Sequence, residues 1–147
     1  MMTVEITALR PEDQPRWGEL WRGYLAFYET VLPPEQFEDT WARLMHGTQI
    51  HGLAARRDGA MIGITHYLFH PTAWATGPAC YLQDLYVDAT ARGTGAGRAL
   101  IEAVAEQARE RKVARLYWLT QEGNAVARRL YDRLARTSGF IRYEYPL

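Results

Sequence analysis

Three glycines at alternate positions, Gly93, Gly95 and Gly97, stand between an apolar run, Tyr81–Val87, and a stretch of helical periodicity that reaches about Lys112. A strand that turns through glycines into a helix commits the chain to a β-turn-α unit, and a following strand at 114–120 must then lie parallel to the first. Glycine also lets the backbone take left-handed conformations and lets a ligand approach its N–H groups. A helix start adds unsatisfied N–H donors and the positive end of the dipole. Together these make an anion site suited to a pyrophosphate, with Arg92 and Arg98 flanking it. A phosphate-binding P-loop requires Gly-Lys-Ser/Thr, whereas Gly97 is followed by Arg98-Ala99. A dinucleotide fingerprint requires a third small residue where this chain has Arg98 or Leu100, depending on the frame. A glycine turn with a purely structural purpose fits the same residues.

The remaining periodicities supply the other elements. Thr3–Leu9 alternates apolar and polar as a half-buried strand does. Pro11, followed by Glu12 and Asp13, opens a helix with an aromatic face of Trp17, Leu20, Trp21, Tyr24, Phe27 and Tyr28. Pro33-Pro34 starts a second helix, buried through Phe37, Trp41, Leu44 and Met45 and ended by Gly47. Residues 50–57 and 60–69 form a hairpin about Asp58-Gly59. Asn124 caps a helix carrying Ala127, Leu130, Tyr131 and Leu134, and Phe140–Tyr145 reads as a last strand. The order βααβββαβαβ predicts an α/β (α+β) fold: a mixed, mostly antiparallel sheet with helices on both faces. All 147 residues are expected to form a single domain.

The formal net charge is zero, which argues against broad binding to nucleic acid or an anionic membrane. No apolar stretch approaches the ~20 residues of a membrane span. The first ten residues lack the basic and apolar segments of a secretory signal. The one cysteine, Cys80, rules out an internal disulfide and is expected to pack as a small apolar residue in a reducing, cytoplasmic setting. His66 and His70 are four residues apart with no third ligand in view, so no metal is expected.

Asn124 and Tyr131 are seven residues apart, about two helical turns, and so share one stripe of their helix. A phenol there can face the same cleft as the glycine loop, although a buried tyrosine often serves packing alone.

At this point the residues resemble a known family. Leu82-Gln83-Asp84-Leu85-Tyr86-Val87, followed by Arg92-Gly93-Thr94-Gly95-Ala96-Gly97, resembles motif A of the GCN5-related N-acetyltransferases (GNAT superfamily). Asn124–Tyr131 resembles motif B, and Gly139-Phe140 resembles the Gly-Phe opening the family's final strand. Leu20–Tyr24, Phe27-Tyr28-Glu29, Thr72-Ala73-Trp74 and Tyr117-Trp118 are similar to the small yeast-type histone and polyamine acetyltransferases. The likeness covers nearly the whole chain and implies the acyl-CoA N-acyltransferase fold.

The resemblance implies acetyl-CoA as cosubstrate, with no metal, and direct attack by a primary amine: a polyamine, a lysine side chain or another small amine. A module that binds acetyl-CoA without turnover is the alternative. The implied cofactor-binding residues are Leu85, Tyr86 and Val87, the loop Arg92, Gly93, Thr94, Gly95, Ala96, Gly97 and Arg98, and Asn124 and Tyr131. Tyr131 matches the general-acid tyrosine; a phenol of pKa ~10 can protonate a leaving thiolate. Tyr28, Glu29, Trp74 and Gln83 are implied on the acceptor side. Gln83 stands where some polyamine-acetylating relatives carry a glutamate base. Asp84 is the candidate catalytic acid-base group in its place, if a local bulge turns it to the same side; a water, or an amine that arrives deprotonated, are the other options. The stretch Leu130–Phe140 is longer than the family's pattern, which leaves the placement of the last strand open.

Glu29, Glu35, Glu38 and Asp39 form an acidic run beside the expected acceptor site. They suit a cationic amine, and the last three equally suit the first turn of a helix. Relatives often dimerise, and the aromatic terminus Tyr143–Leu147 has the composition to add a strand to a partner.

Overall fold

The computed structural model describes residues 3–147; Met1 and Met2, at the head of the expected domain, lie outside the described residues. Strand β1 (Glu5–Ala8) leads through a single 3-10 turn at Pro11–Asp13 into α1 (Gln14–Phe27). Helix α2 (Pro34–His46) follows, with Gly47 closing it at φ 71°. Then come β2 (His51–Arg57), β3 (Ala60–His70) and β4 (Ala79–Val87). A short 3-10 turn at Ala89–Ala91 precedes α3 (Ala96–Glu110), β5 (Arg115–Tyr117) and α4 (Ala125–Leu134). Asp58 and Gly59 both take positive φ, as the tight hairpin turn between β2 and β3 requires.

The five strands lie in sequence order; β1 to β4 pair antiparallel, and β4 pairs with β5 in parallel. This is the mixed, mostly antiparallel sheet expected from the order of elements. Helices α1 and α2 cover one face through Trp17, Leu20, Trp21, Leu25, Trp41 and Leu44. Trp17 is 1% exposed, with its ring centroid 5.0 Å from that of Trp41. The opposite face receives α3 through Leu100, Ile101, Val104 and Ala108. Each such side chain, fully buried, contributes about 1.5–3 kcal/mol. Cys80 is fully buried among them, as expected, and burial pushes its thiol up to about 11.

One expectation fails. Phe140–Tyr145 forms no strand: residues 135–147 have no regular structure, and Phe140, Ile141, Tyr143 and Tyr145 are 75–87% exposed. Ala135 leaves α4 extended, at φ −150° and ψ −169°, and the long connection runs on without meeting a strand edge. β5 is also shorter than the seven residues its alternation suggests. Its ladder with β4 stops at Tyr81–Tyr117.

Candidate active site

The end of that ladder opens the site. Beyond Tyr81 and Tyr117, β4 and the chain after β5 no longer pair, and a cleft opens between them. Its walls include Leu82, Gln83 and Leu85 from β4, Trp118 and Leu119 after β5, Tyr24 from α1 and Tyr28 at its C-terminal cap, and Tyr131 from α4. Residues from both faces of the sheet therefore meet in one opening.

A bulge in β4 decides which side chains meet there. His66 pairs with Asp84, but Tyr67 pairs with Leu82, so Gln83 is an extra residue with no partner on β3. The strand alternates in steps of two, so one extra residue reverses every side chain beyond it. Cys80 and Leu82 point to the α3 face, and so does Leu85. Asp84 and Tyr86 point to the α1 face instead. Gly23 in α1 makes room for Tyr86: a Cβ there would stand 2.6 Å from the Tyr86 hydroxyl.

On the α1 face Asp84 ends a buried chain of hydrogen bonds. The Trp17 indole N–H donates to His66 Nε2 at 3.0 Å, and His66 Nδ1 lies 3.0 Å from Asp84 Oδ2. An indole can only donate, so Nε2 accepts and the imidazole proton sits on Nδ1, facing the carboxylate. The Tyr24 phenol lies near the same carboxylate, and burial, then the Asp84 charge, push it far above its ordinary range. Tyr28 is raised by burial and then by the same charge. The pairing of Tyr24 with Asp84 was not read from the sequence, where Tyr24 appears as an aromatic on a core face and within the Leu20–Tyr24 resemblance. The four-residue step from Tyr24 to Tyr28 along α1 is the one signal that ties it to a site residue.

From the other face comes Tyr131, its ring 5.5 Å from Trp118 in an edge-on contact. Burial foremost, and then Tyr28, raise its phenol, so it stays protonated. Asn124 lies at the head of α4, accepting from the Ala127 N–H at 3.4 Å and reaching Thr120 with its amide. Its visible work is to cap the helix that carries Tyr131.

The glycine loop stands at the far end of β4. Gly93 and Gly95 take φ 84° and 85°, and Gly95 caps α3 from the left-handed region. The first helical bond runs from Ala99 N–H to Gly95 carbonyl, which leaves the N–H groups of Ala96, Gly97 and Arg98 without intrahelical acceptors. Added Cβ atoms at Gly93 and Gly95 would meet open space, so these two glycines serve backbone shape. Thr94 turns its hydroxyl back to the Ala91 carbonyl at 2.7 Å. Arg92 lies over the Tyr86 ring at 5.9 Å, while Arg98 pairs with Glu102 at 2.8 Å along the helix surface. An anion such as a pyrophosphate fits this set: N–H donors without helical partners, a positive helix end and two guanidinium groups.

The remaining acceptor-side candidates separate. Tyr28 and Gln83 line the cleft. Glu29 lines a different groove, between α1 and α2, and Trp74 sits exposed on the loop before β4 with Arg115 4.8 Å from its ring centre. The acidic run is engaged locally: Glu38 accepts from Gln14, Asp39 pairs with Arg43 at 3.0 Å, and Glu35 lies in the first turn of α2. His66 belongs to the buried network, and His70 bonds the Tyr117 hydroxyl at 2.8 Å.

Comparison with known proteins agrees with this geometry. The family model for the acetyltransferase (GNAT) family matches residues 14–135, from the start of α1 to the end of α4. The chain is 37% identical over 144 residues to the D-amino-acid N-acetyltransferase of Saccharomyces cerevisiae, covering 96% of this chain and 89% of that one. Among solved structures, a ribosomal-protein-alanine N-acetyltransferase from Brucella melitensis biovar Abortus 2308 has a TM-score of 0.80 at 23% identity, covering 99% of this chain and 100% of that one. AAC(6')-Iy, solved with the bisubstrate analogue CoA-S-monomethyl-acetylneamine, has a TM-score of 0.84 at 15% identity, covering 98% of each chain. Both show the same fold. The motif that first suggested a phosphate at a helix start thus lies within a match spanning both the loop and the tyrosine helix: the chain belongs to the GNAT family of acetyltransferases.

Proposed function

We propose that this acetyltransferase moves an acetyl group from acetyl-CoA to the primary amine of a small molecule, with the α-amino group of a free amino acid as the acceptor class. The observation that carries the reading is the opening between β4 and β5, where Tyr131 enters from one face and Tyr24, itself near Asp84, from the other. The amino acid acceptor rests on the 37% identical relative, named for D-amino acids. The pairing of Asp39 with Arg43 supports it over a polyamine, because it offsets one charge of the acidic run that would attract a polycation.

When bound, acetyl-CoA supplies the acetyl thioester. In this reading the N–H groups at Ala96, Gly97 and Arg98, with Arg92, hold its pyrophosphate, and Leu85–Val87 lie along its pantetheine arm. Backbone N–H groups of that same stretch stabilise negative charge on the carbonyl oxygen in this reading. The amine must lose a proton as its lone pair forms the new C–N bond. Asp84, held by His66 and Tyr24, provides the negative charge that orients the amine and receives that proton, directly or through water. The departing sulfur must gain a proton, and Tyr131 provides it, because burial keeps its phenol protonated. Gln83 can orient the acceptor but cannot take its proton.

The test is a thiol-release assay with acetyl-CoA as donor against D- and L-amino acids, spermidine and a lysine peptide. Release with amino acids well above the others is expected. Preference for spermidine or the peptide would overturn the acceptor class. Tight acetyl-CoA binding with no release for any amine would instead mark a sensor module.

A further inference from the structure

His66 lies between two groups with opposite demands on its charge. On one side the Trp17 indole donates to Nε2 at 3.0 Å; on the other, Nδ1 faces the Asp84 carboxylate at 3.0 Å. Trp17 is 1% exposed and His66 3%, so both hydrogen bonds are shut away from water. A carboxylate this close favours a second proton on the ring, because imidazolium beside carboxylate is an ion pair. The indole opposes it. An indole N–H can only donate, and a proton on Nε2 would point at it across 3.0 Å. The neighbouring Trp21, its ring centroid 4.9 Å from that of His66, also carries only a donor, and Gly52, opposite His66 on β2, has no side chain.

The consequence falls on Asp84. With a neutral ring the pair carries one full negative charge; with an imidazolium it would carry none. Among the described residues, His66 is the one basic side chain paired with that carboxylate. The other titratable groups around it are phenols. Tyr24 from α1, Tyr28 at its cap and Tyr81 from β4 lie near Asp84, and burial foremost keeps each of them protonated and uncharged. Helix α2 reaches this cluster through Trp41, which packs on Trp17 and carries no charge.

We infer that Trp17 is a positioning residue for the acyl transfer: it holds His66 as a neutral Nδ1–H donor, so that Asp84 keeps its full charge for the incoming amine. The inference rests on the reading of Asp84 as proton acceptor given above. The amine attacks through its lone pair and sheds one proton as the C–N bond forms; that proton goes to the carboxylate, directly or through water. A doubly protonated His66 would offset the carboxylate's charge from the other side and weaken it as an acceptor.

Two measurements on the full chain test this. The first is NMR of the imidazole nitrogens in the wild type, with His66 assigned among the four histidines by its loss in His66→Asn. The expected ring is neutral and protonated on Nδ1 throughout about pH 5.5–8.5, across the ordinary histidine pKa of about 6.5. A ring that titrates in that window, or one protonated on Nε2, overturns the inference. The second compares Trp17→Phe with wild type in thiol release, pH by pH, using the fastest of the amines named above. Phenylalanine keeps an aromatic ring and removes the donor, so His66 gains its second proton as pH falls and offsets the Asp84 charge. Relative to wild type, kcat/KM for the amine is expected to be about tenfold or more lower at about pH 5.5 and to recover as pH rises, since each unit below the ring's pKa is tenfold. KM for acetyl-CoA stays unchanged. Adding His66→Asn to that variant restores the low-pH rate, because an amide donates to Asp84 and carries no charge. A loss by one constant factor at every pH, or no rescue, means that Trp17 only packs and overturns the inference. If Asp84→Asn turns over like wild type, or no amine releases thiol, the reading of the carboxylate falls and the inference with it. A marked Asp84→Asn loss beside a flat Trp17→Phe profile overturns the role of Trp17 alone. Should Trp17→Phe fail to fold, the wild-type NMR decides.

Discussion

Replacing Asp84 by asparagine changes one atom at the centre of the buried network. In the protein, Asp84 accepts from His66 Nδ1–H at 3.0 Å, with the Tyr24 hydroxyl near the same carboxylate. Asparagine keeps one accepting oxygen and turns an NH2 toward one of these two groups. His66 cannot relieve the conflict by moving its proton to Nε2, because the Trp17 N–H occupies that nitrogen at 3.0 Å. One buried donor therefore loses its acceptor, which costs about 1–3 kcal/mol. For a domain of this size that lowers the thermal midpoint by roughly 2–12 °C. On the reaction side, loss of the proton acceptor lowers kcat/KM for the amine by about 100-fold or more. KM for acetyl-CoA stays near wild type, because the glycine loop is untouched. Thermal denaturation and thiol-release kinetics with each substrate varied read all three quantities. An Asp84→Asn protein with the wild-type midpoint and wild-type turnover would refute both the network and the role given to the carboxylate.

Other expectations follow from the same geometry. Tyr131→Phe keeps the ring against Trp118 and therefore the stability, but lowers kcat by about 100-fold with little change in acetyl-CoA affinity; unchanged kcat removes Tyr131 from proton transfer. Gly95→Ala forces a side chain into φ 85°, at a cost of about 1–2 kcal/mol, and raises KM for acetyl-CoA more than KM for the amine; equal changes in both count against an anion site there. Tyr24, Tyr28, Tyr67, Tyr81, Tyr117 and Tyr131 all have phenols raised first of all by burial. A raised folded pKa gives stability that is fully present below the unfolded value of about 10 and lost as pH rises toward the folded values. The thermal midpoint should thus fall as pH climbs past about 10, and a flat profile there contradicts the burial of these phenols.

Elements with strong local signals were legible in the sequence. Proline and glycine marked both ends of α2, Asp58-Gly59 marked the hairpin, and Asn124 marked the start of α4, because each is a backbone requirement met by a single residue type. Phe140–Tyr145 misled for the opposite reason. Alternation reports that one face of a strand seeks burial, not whether the same chain supplies it. Within the candidate site, Tyr131 and the glycine loop stood out because their spacing is local. The contact of Tyr24 with Asp84, and of Asp84 with His66 and Trp17, joins residues from three distant segments. No periodicity encodes such a meeting. The bulge at Gln83 was legible only as an option, since nothing in β4 alone says where its partner strand skips a residue.

That bulge makes β4 a strand with two phases. Residues before Gln83 count faces in one phase, which sets Cys80 and Leu82 under α3; residues after it count in the other, which turns Asp84 and Tyr86 to the α1 face. Substitutions on the two sides are therefore decoupled, because Cys80 and Leu82 answer to packing under α3 while Asp84 and Tyr86 answer to α1. Taking Gln83 into the ladder would merge the phases. No side chain would be removed, yet Asp84 would then share the α3 face with Cys80 and Leu82, and a charge would enter the apolar layer. In this architecture the pairing of one residue carries more information than its identity.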